Sequence, residues 1–167
     1  MKSQSIKNET LLTELQKCCG SSEWVKQMSG LFPLDSENKI LKESERVWFS
    51  LDKEDRLEAF LHHPKIGDIN SLREKYSSAK NLSEMEQSGV NSASEVTLTQ
   101  LAKYNKEYEE KFGFIFIVCA TGKSAEEMLE LIKIRIQNDT ETEIQNASAE
   151  QNKITQLRLA KIKDLLL

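Results

Sequence analysis

The two histidines of this 167-residue chain, His62 and His63, stand side by side directly before Pro64. Histidine is the side chain best suited to proton transfer near neutral pH. Because a residue before proline is disfavoured in the helical region, His63 is expected at a helix end on an extended backbone. That corner suits a catalytic acid or base, and a structural or surface role is the alternative for either histidine. A metal site is disfavoured, since adjacent side chains diverge and no further ligand follows at metal spacing.

A carboxylate stands next to an amide at Glu86 and Gln87. Together they offer a charged acceptor, a neutral acceptor and a donor, which is enough to bind a polar heterocycle. Glu86 also completes the pattern Ser83-x-x-Glu86, which is typical of a helix-capping box. A purely structural role is therefore the alternative.

Two arginines occupy apolar helical surroundings, Arg135 in LIKIRIQND and Arg158 in KITQLRLAKI. A guanidinium can bind a substrate carboxylate through two parallel hydrogen bonds. Each arginine could instead form a core ion pair or extend its charge to the surface along an apolar stem. The sequence does not choose between the two arginines for a substrate role.

The elements that must position these residues are predicted to be helices. The chain has only six glycines and two prolines, and its apolar residues recur mainly at three- and four-residue steps. The pattern predicts helices over Thr10–Cys19, Ser22–Gly30, Ser36–Leu51, Asp52 to a stop at Pro64, Ser94–Phe112, Ser124–Asn138 and Thr140 to the C-terminus, with a weak helix around Leu72–Tyr76. FIFIVCA, residues 114–120, has the composition of a strand, but no second strand is available to pair with it, so an extended connector is expected. The predicted fold class is all-α, a single compact domain of about eight helices over residues 1–167.

Composition narrows the functional classes. A net charge of −4 gives no reason to expect nucleic acid or an anionic membrane as a partner. The longest apolar run, residues 114–120, is far shorter than the ~20 residues of a membrane span, and the N-terminal MKSQSIKNETLL has no apolar signal core. Cys18 and Cys19 are adjacent and Cys119 is distant, a spacing that fits neither a disulfide framework nor a zinc site. We expect a cytoplasmic protein with reduced thiols and with Cys119 in the core.

Five sequence blocks, in this order, resemble the OHCU decarboxylase family. They are HPKIG (His63–Gly67), S-x-x-E-Q-x-G (Ser83–Gly89), Y-x3-Y-x3-FGFxF (Tyr104–Phe116), RIQND-x3-E (Arg135–Glu143) and I-x2-LRL (Ile154–Leu159). Members of that family decarboxylate 2-oxo-4-hydroxy-4-carboxy-5-ureidoimidazoline (OHCU) to (S)-allantoin in urate and purine catabolism. The resemblance implies an all-helical single domain, commonly a homodimer, that acts on this small molecule and needs neither a metal nor an organic cofactor.

The resemblance also implies roles for individual residues. His63, and not His62, would be the catalytic proton donor, with Glu86 as the second catalytic residue. The substrate-binding residues would be Pro64, Ser83, Gln87, Arg158 and the connector backbone at Phe116, Ile117, Val118, Cys119 and Ala120. The chain departs from the family pattern at Ile115, where proline is usual, and this change is expected to loosen the connector.

Two other functions compete with decarboxylation. A non-catalytic helical binding module that kept only the fold would be expected to lose its polar site residues, whereas His63, Glu86, Gln87 and Arg158 are all present. A hydrolase acting on a neighbouring ureide would need a metal or an activated nucleophile. The sequence shows neither clearly.

Overall fold

The structure, a computed structural model, describes residues 2–77 and 94–167. Within these ranges the chain forms eight α-helices and no β-strand, so the all-α prediction is confirmed. The helices are α1 (Lys2–Cys18), α2 (Ser22–Leu31), α3 (Glu37–Ser50), α4 (Lys53–Leu61), α5 (Ile69–Ser77), α6 (Glu95–Phe112), α7 (Ala125–Arg135) and α8 (Thr140–Leu166).

Several helices begin at polar residues that the sequence pattern identified. The side chains of Asp52, Ser94 and Ser124 each accept a hydrogen bond from the backbone N–H three residues later. At Ser124 the bond is reciprocated by Glu127, which forms a complete capping box. The expected cap of α2 is shifted by one residue, because Ser21 is the cap and Ser22 is the first helical residue.

The helix ends follow from glycine and proline chemistry. Gly113 ends α6 in the left-handed conformation, with φ of 79°, which a residue without a Cβ adopts at no steric cost. α4 ends at Leu61, three residues before Pro64, with His62 as its C-terminal cap. Gly30 does not close α2 as predicted, since that helix continues to Leu31.

The chain divides into two compact units, and α8 contributes to both. The first unit comprises Met1–His63 and Ser148–Leu167. Two indoles are buried in its core and hydrogen-bonded: Trp24 Nε1 donates to the Ser44 carbonyl over 3.2 Å, and Trp48 Nε1 donates to the Ser148 carbonyl over 2.9 Å. Both Trp side chains therefore combine a large apolar area with a satisfied N–H group.

The second unit, Pro64–Ala147, is built around α6 and α7. The buried ring of Tyr108 lies 4.6 Å from that of Phe112 and 5.1 Å from that of Phe116, centroid to centroid. Residues 115–120 have no regular secondary structure, so they form a connector and not a paired strand. Cys119 on this connector is only partly buried, so the prediction that it lies in the core is wrong.

Candidate active site

His63 lies just beyond the end of α4, at the corner predicted from its position before proline. Its backbone N–H donates to the Phe60 carbonyl over 3.4 Å, and no helix continues through it. Its side chain is half-buried, and its Nε2 is hydrogen-bonded to Oε1 of Gln151 on α8. The neighbouring His62 is exposed. The structure thus separates the two histidines. Within the described ranges, only the His63 imidazole is hydrogen-bonded to a buried side chain.

Gln151 begins a polar chain that runs through the core of the first unit. Its side chain is fully buried, and its Nε2 donates to Thr155 Oγ1 over 3.1 Å. Thr155 is 2% exposed, and its hydroxyl donates to the Cys18 carbonyl over 3.4 Å. Sequence reasoning missed Gln151 and Thr155. The available signal was their four-residue spacing, which places two polar side chains on one face of α8.

Arg158 lies one turn further along α8 than Thr155. Its Nη1 donates to the carbonyls of Lys17 and Cys18 over 3.3 and 3.4 Å. These carbonyls end α1, where unsatisfied C=O groups carry partial negative charge. The guanidinium is half-buried and forms no ion pair with any carboxylate of the described ranges. Its other N–H groups could therefore bind an anion.

The described surroundings of His63 favour a neutral imidazole. Burial lowers the pKa of His63 below its usual value, and the positive charges of Arg158 and His62 lower it further. The hydrogen bond with Gln151 acts in the opposite direction. An anion placed near the ring would raise the pKa of His63 again, because negative charge stabilises the imidazolium.

Arg135, the other candidate for substrate binding, is used inside the second unit. It is 8% exposed, and its Nη2 lies 2.5 Å from the carboxylate of the fully buried Glu143. Its Nη1 donates to the Ile117 carbonyl over 2.7 Å, and its guanidinium carbon lies 4.6 Å from the centroid of the Phe116 ring. Burial, together with the Glu143 carboxylate, raises the pKa of Tyr108, so the Tyr108 hydroxyl stays protonated and donates to Glu143.

These contacts distinguish Arg135 from Arg158 as candidates for substrate binding, a choice that the sequence did not decide. The donors of Arg135 are directed at a buried carboxylate and at the connector backbone. Those of Arg158 reach only main-chain carbonyls among the described residues. Arg158 is therefore the better candidate for a substrate anion, and Arg135 is a structural residue of the connector.

The remaining predicted site residues are distributed as follows. Pro64 is exposed at the start of the second unit, and of the connector positions 116–120 only Ile117 is fully buried. Ser83, Glu86 and Gln87 lie outside the described residues. In the part of the chain that is described, no three His, Cys, Asp or Glu side chains group as metal ligands. None of the described helices could span a lipid bilayer.

The described residues form only helices, and they place a half-buried histidine, His63, directly before a proline. An arginine that could bind an anion, Arg158, lies far away in sequence on α8. These features define the class of protein with which the chain is compared. The family model of OHCU decarboxylase matches residues 4–160, which include parts of both units. The chain belongs to the OHCU decarboxylase family.

Individual relatives support this assignment. The chain is similar to the uric acid degradation bifunctional protein TTL of Arabidopsis thaliana, with 41% identity over 150 residues, covering 89% of this chain and 46% of that protein. It is also similar to a crystal structure of OHCU decarboxylase in the presence of (S)-allantoin, with 39% identity, a TM-score of 0.73, and coverage of 90% and 97% of the two chains.

More distant relatives extend the comparison. The bifunctional protein PucL of Bacillus subtilis is 26% identical over 92% of this chain and 30% of its own length. The chain thus spans less than half the length of these two bifunctional relatives. A structure of (S)-allantoin synthase shares the fold, with a TM-score of 0.66 at 17% identity, covering 92% of this chain and 50% of that one.

Proposed function

We propose that this chain catalyses the decarboxylation of OHCU to (S)-allantoin in urate catabolism, as a carboxy-lyase. The observation that carries the proposal is the setting of His63 in a chain that belongs to this family. Its imidazole is half-buried and hydrogen-bonded to Gln151, at the helix end directly before Pro64. The solved relative crystallised with (S)-allantoin supports the same product.

The reaction explains why a proton donor is the principal requirement. Carbon 4 of the substrate carries both a hydroxyl and a carboxylate, and the bond from this carbon to the carboxylate breaks. The electron pair moves into the unsaturated ring, which thereby serves as its own electron sink, so no organic cofactor is required. A proton must then be added to one face of a ring carbon to give the S product. Overall, one proton is consumed for each carbon dioxide released.

His63 has the properties that this step needs. Its pKa is lowered in the described surroundings, so it is largely neutral before substrate binds. The substrate carboxylate would raise the pKa of His63 and favour the imidazolium, which can then deliver its proton to carbon. Because an imidazole on a fixed corner presents its proton from one side only, it can determine the configuration of the product.

The other roles follow from charge and from the family resemblance. Arg158 would bind the substrate carboxylate or the oxygen that becomes negative as carbon dioxide leaves. Glu86 would orient the hydroxyl or ureido group and favour protonated His63. We further propose that Pro64, Ser83, Gln87 and the backbone of residues 116–120 bind the substrate.

The larger assembly is part of the same proposal. Residues 1–167 would act as one OHCU decarboxylase-like domain, as a cytoplasmic homodimer. Sedimentation of the purified chain would test the dimer. A monomer at micromolar concentration would contradict it without affecting the proposed reaction.

The proposed activity can be tested by generating OHCU in situ from urate and following (S)-allantoin by circular dichroism. The wild type should accelerate the appearance of the S product. His63→Asn should lose at least about 10²-fold in kcat, since general acid catalysis contributes about 10²–10⁴-fold. His62→Asn is the matched control and should retain activity, because His62 is exposed.

Two results would contradict the proposal. If the wild type does not accelerate the reaction, the chain does not have this activity, and a non-catalytic binding module becomes the better interpretation. If His63→Asn turns over like the wild type, His63 is not the proton donor. Far-UV circular dichroism of each variant verifies that the helices are intact.

A further inference from the structure

The hydrogen-bond chain behind His63 determines which ring nitrogen carries its proton. The terminal acceptor of the chain is the Cys18 carbonyl, which cannot donate. Cys18 is the last residue of α1, so its carbonyl has no partner within the helix and must be satisfied from outside. Thr155 and Arg158 are the residues that donate to it.

This terminal acceptor determines which group donates and which accepts in each hydrogen bond from Cys18 back to His63. Because the Thr155 hydroxyl has one proton, and that proton points to the Cys18 carbonyl, its oxygen can only accept from Gln151. The Gln151 amide must then direct its NH2 group towards Thr155 and its oxygen towards His63. An amide oxygen only accepts, so Nε2 of His63 must be the donor.

The neighbouring thiol does not reverse this direction. Cys19 also lies against Thr155, and burial raises the pKa of Cys19 to about 12, so the thiol keeps its proton. If that S–H donates to Thr155, the hydroxyl proton is still free for the Cys18 carbonyl. In the described part of the chain Nδ1 of His63 has no hydrogen-bond partner.

We propose that Gln151 and Thr155 are positioning residues that keep a proton on Nε2 of His63, so that Nδ1 is the atom that takes up and delivers the substrate proton. The proposal rests on the proposed function, since it assigns the transferring nitrogen of the same histidine. In the transfer step the Nδ1–H bond of the imidazolium breaks, and its electron pair returns to Nδ1. The electron pair of the ring C=C bond formed by loss of carbon dioxide makes the new C–H bond. The hydroxyl on carbon 4 then becomes the product's carbonyl and releases its proton, which balances the proton taken up by the ring nitrogen, and Nδ1 later regains a proton from water.

The tautomer can be read directly by NMR, because the chain has only two histidines. Long-range ¹⁵N–¹H spectra of the ¹⁵N-histidine-labelled protein, with His62→Asn for assignment, should show neutral His63 protonated at Nε2. Thr155→Val keeps the volume but removes the hydroxyl, so the Gln151 amide can turn over and the two tautomers of His63 should mix. Thr155→Ser restores the hydroxyl and should restore the single tautomer.

Kinetics then separate positioning from simple packing. Thr155→Val and Gln151→Leu should lower kcat by about 10- to 100-fold with little change in KM, because the wrong tautomer affects proton transfer and not substrate binding. Gln156→Leu is the matched control. Gln156 is a partly buried amide on the same helix, α8, and its Nε2 donates to the Leu41 carbonyl over 3.0 Å and not to His63. This control should leave kcat unchanged.

The proposal fails if neutral wild-type His63 carries its proton on Nδ1, or if Thr155→Val leaves the tautomer unchanged. It also fails if the tautomers mix in Thr155→Val while kcat stays at the wild-type value. Since the tautomer is measured without substrate, its result is independent of the activity test. A wild type without decarboxylase activity would refute the proposed function, and the NMR result alone would then decide whether Gln151 and Thr155 hold the proton.

Discussion

Replacing Arg135 with alanine should destabilise the protein strongly, because it leaves a buried carboxylate without its cation. Glu143 is fully buried, and Arg135 contacts it with both Nε, over 2.6 Å, and Nη2. Removal of one partner from such a pair costs about 3–5 kcal/mol. Glu143 would keep other donors, including Asn138 Nδ2 at 3.0 Å, so we expect the lower part of that range.

A loss of about 3 kcal/mol is a large part of the 5–15 kcal/mol that stabilises a typical domain. At an m-value of about 2 kcal/mol/M, the urea midpoint would fall by about 1.5 M. Arg46→Ala is the matched control, since Arg46 pairs with Glu43 over 2.7 Å while its side chain remains 59% exposed. A surface pair of this kind contributes about 1 kcal/mol or less.

Removing both charges of the pair should reverse much of this loss of stability. Arg135→Met combined with Glu143→Leu removes both charges, and replacing a buried pair with apolar residues is often neutral or stabilising. The double variant should therefore be more stable than Arg135→Met alone. The electrostatic explanation is refuted if Arg135→Ala costs no more than Arg46→Ala, or if removing Glu143 as well gives no recovery.

Two further predictions concern the corner that carries His63. In thermal melts, Gly20→Ala should destabilise the protein by about 1–3 kcal/mol, because its new Cβ would lie 2.3 Å from the Cβ of His62, and it should also lower kcat. Gly30→Ala has nothing within 4 Å of its new Cβ, so in the same measurement it should instead stabilise α2 by about 0.5–1 kcal/mol. Between the lowered pKa of His63 in the folded protein and the unfolded value of about 6.5, only the unfolded state binds the proton, so the free energy of unfolding should rise with pH over this range. Above about pH 6.5 the free energy of unfolding should be independent of this group. Urea titrations of His63→Gln should lack this increment, and an identical pH dependence in variant and wild type would contradict it.

The helices could be predicted from sequence because local chemistry determines their ends. Ser124 caps α7, Gly113 closes α6 in the left-handed conformation, and Pro64 prevents α4 from continuing. Each signal acts within a few residues, where steric and hydrogen-bonding rules are strong. The errors occur where two neighbours could serve equally well, as at Ser21, which caps α2 in place of Ser22.

The candidate site was only partly predictable, since its contacts join distant parts of the chain. His63 stood out by its type and by the proline after it, but Gln151, its hydrogen-bond partner, is 88 residues away. Thr155 meets Cys18 across 137 residues. No local pattern encodes such pairings, which depend on how α8 packs within the first unit. The choice between Arg135 and Arg158 likewise required knowing which of them faces a buried carboxylate.

The connector shows how a local departure from the family pattern can be offset by tertiary contacts. Ile115 replaces the usual proline, and the sequence alone predicts a looser backbone. In the structure, however, Phe116 and Ile117, the two residues after Ile115, are held by the side chain of Arg135. The Ile117 carbonyl accepts from Arg135, and the guanidinium lies over the Phe116 ring. The pair with Glu143 fixes that guanidinium in turn. If this network supplies the rigidity, Ile115→Pro should change kcat little, whereas Arg135→Lys, which keeps the charge but loses the planar donor geometry, should lower it.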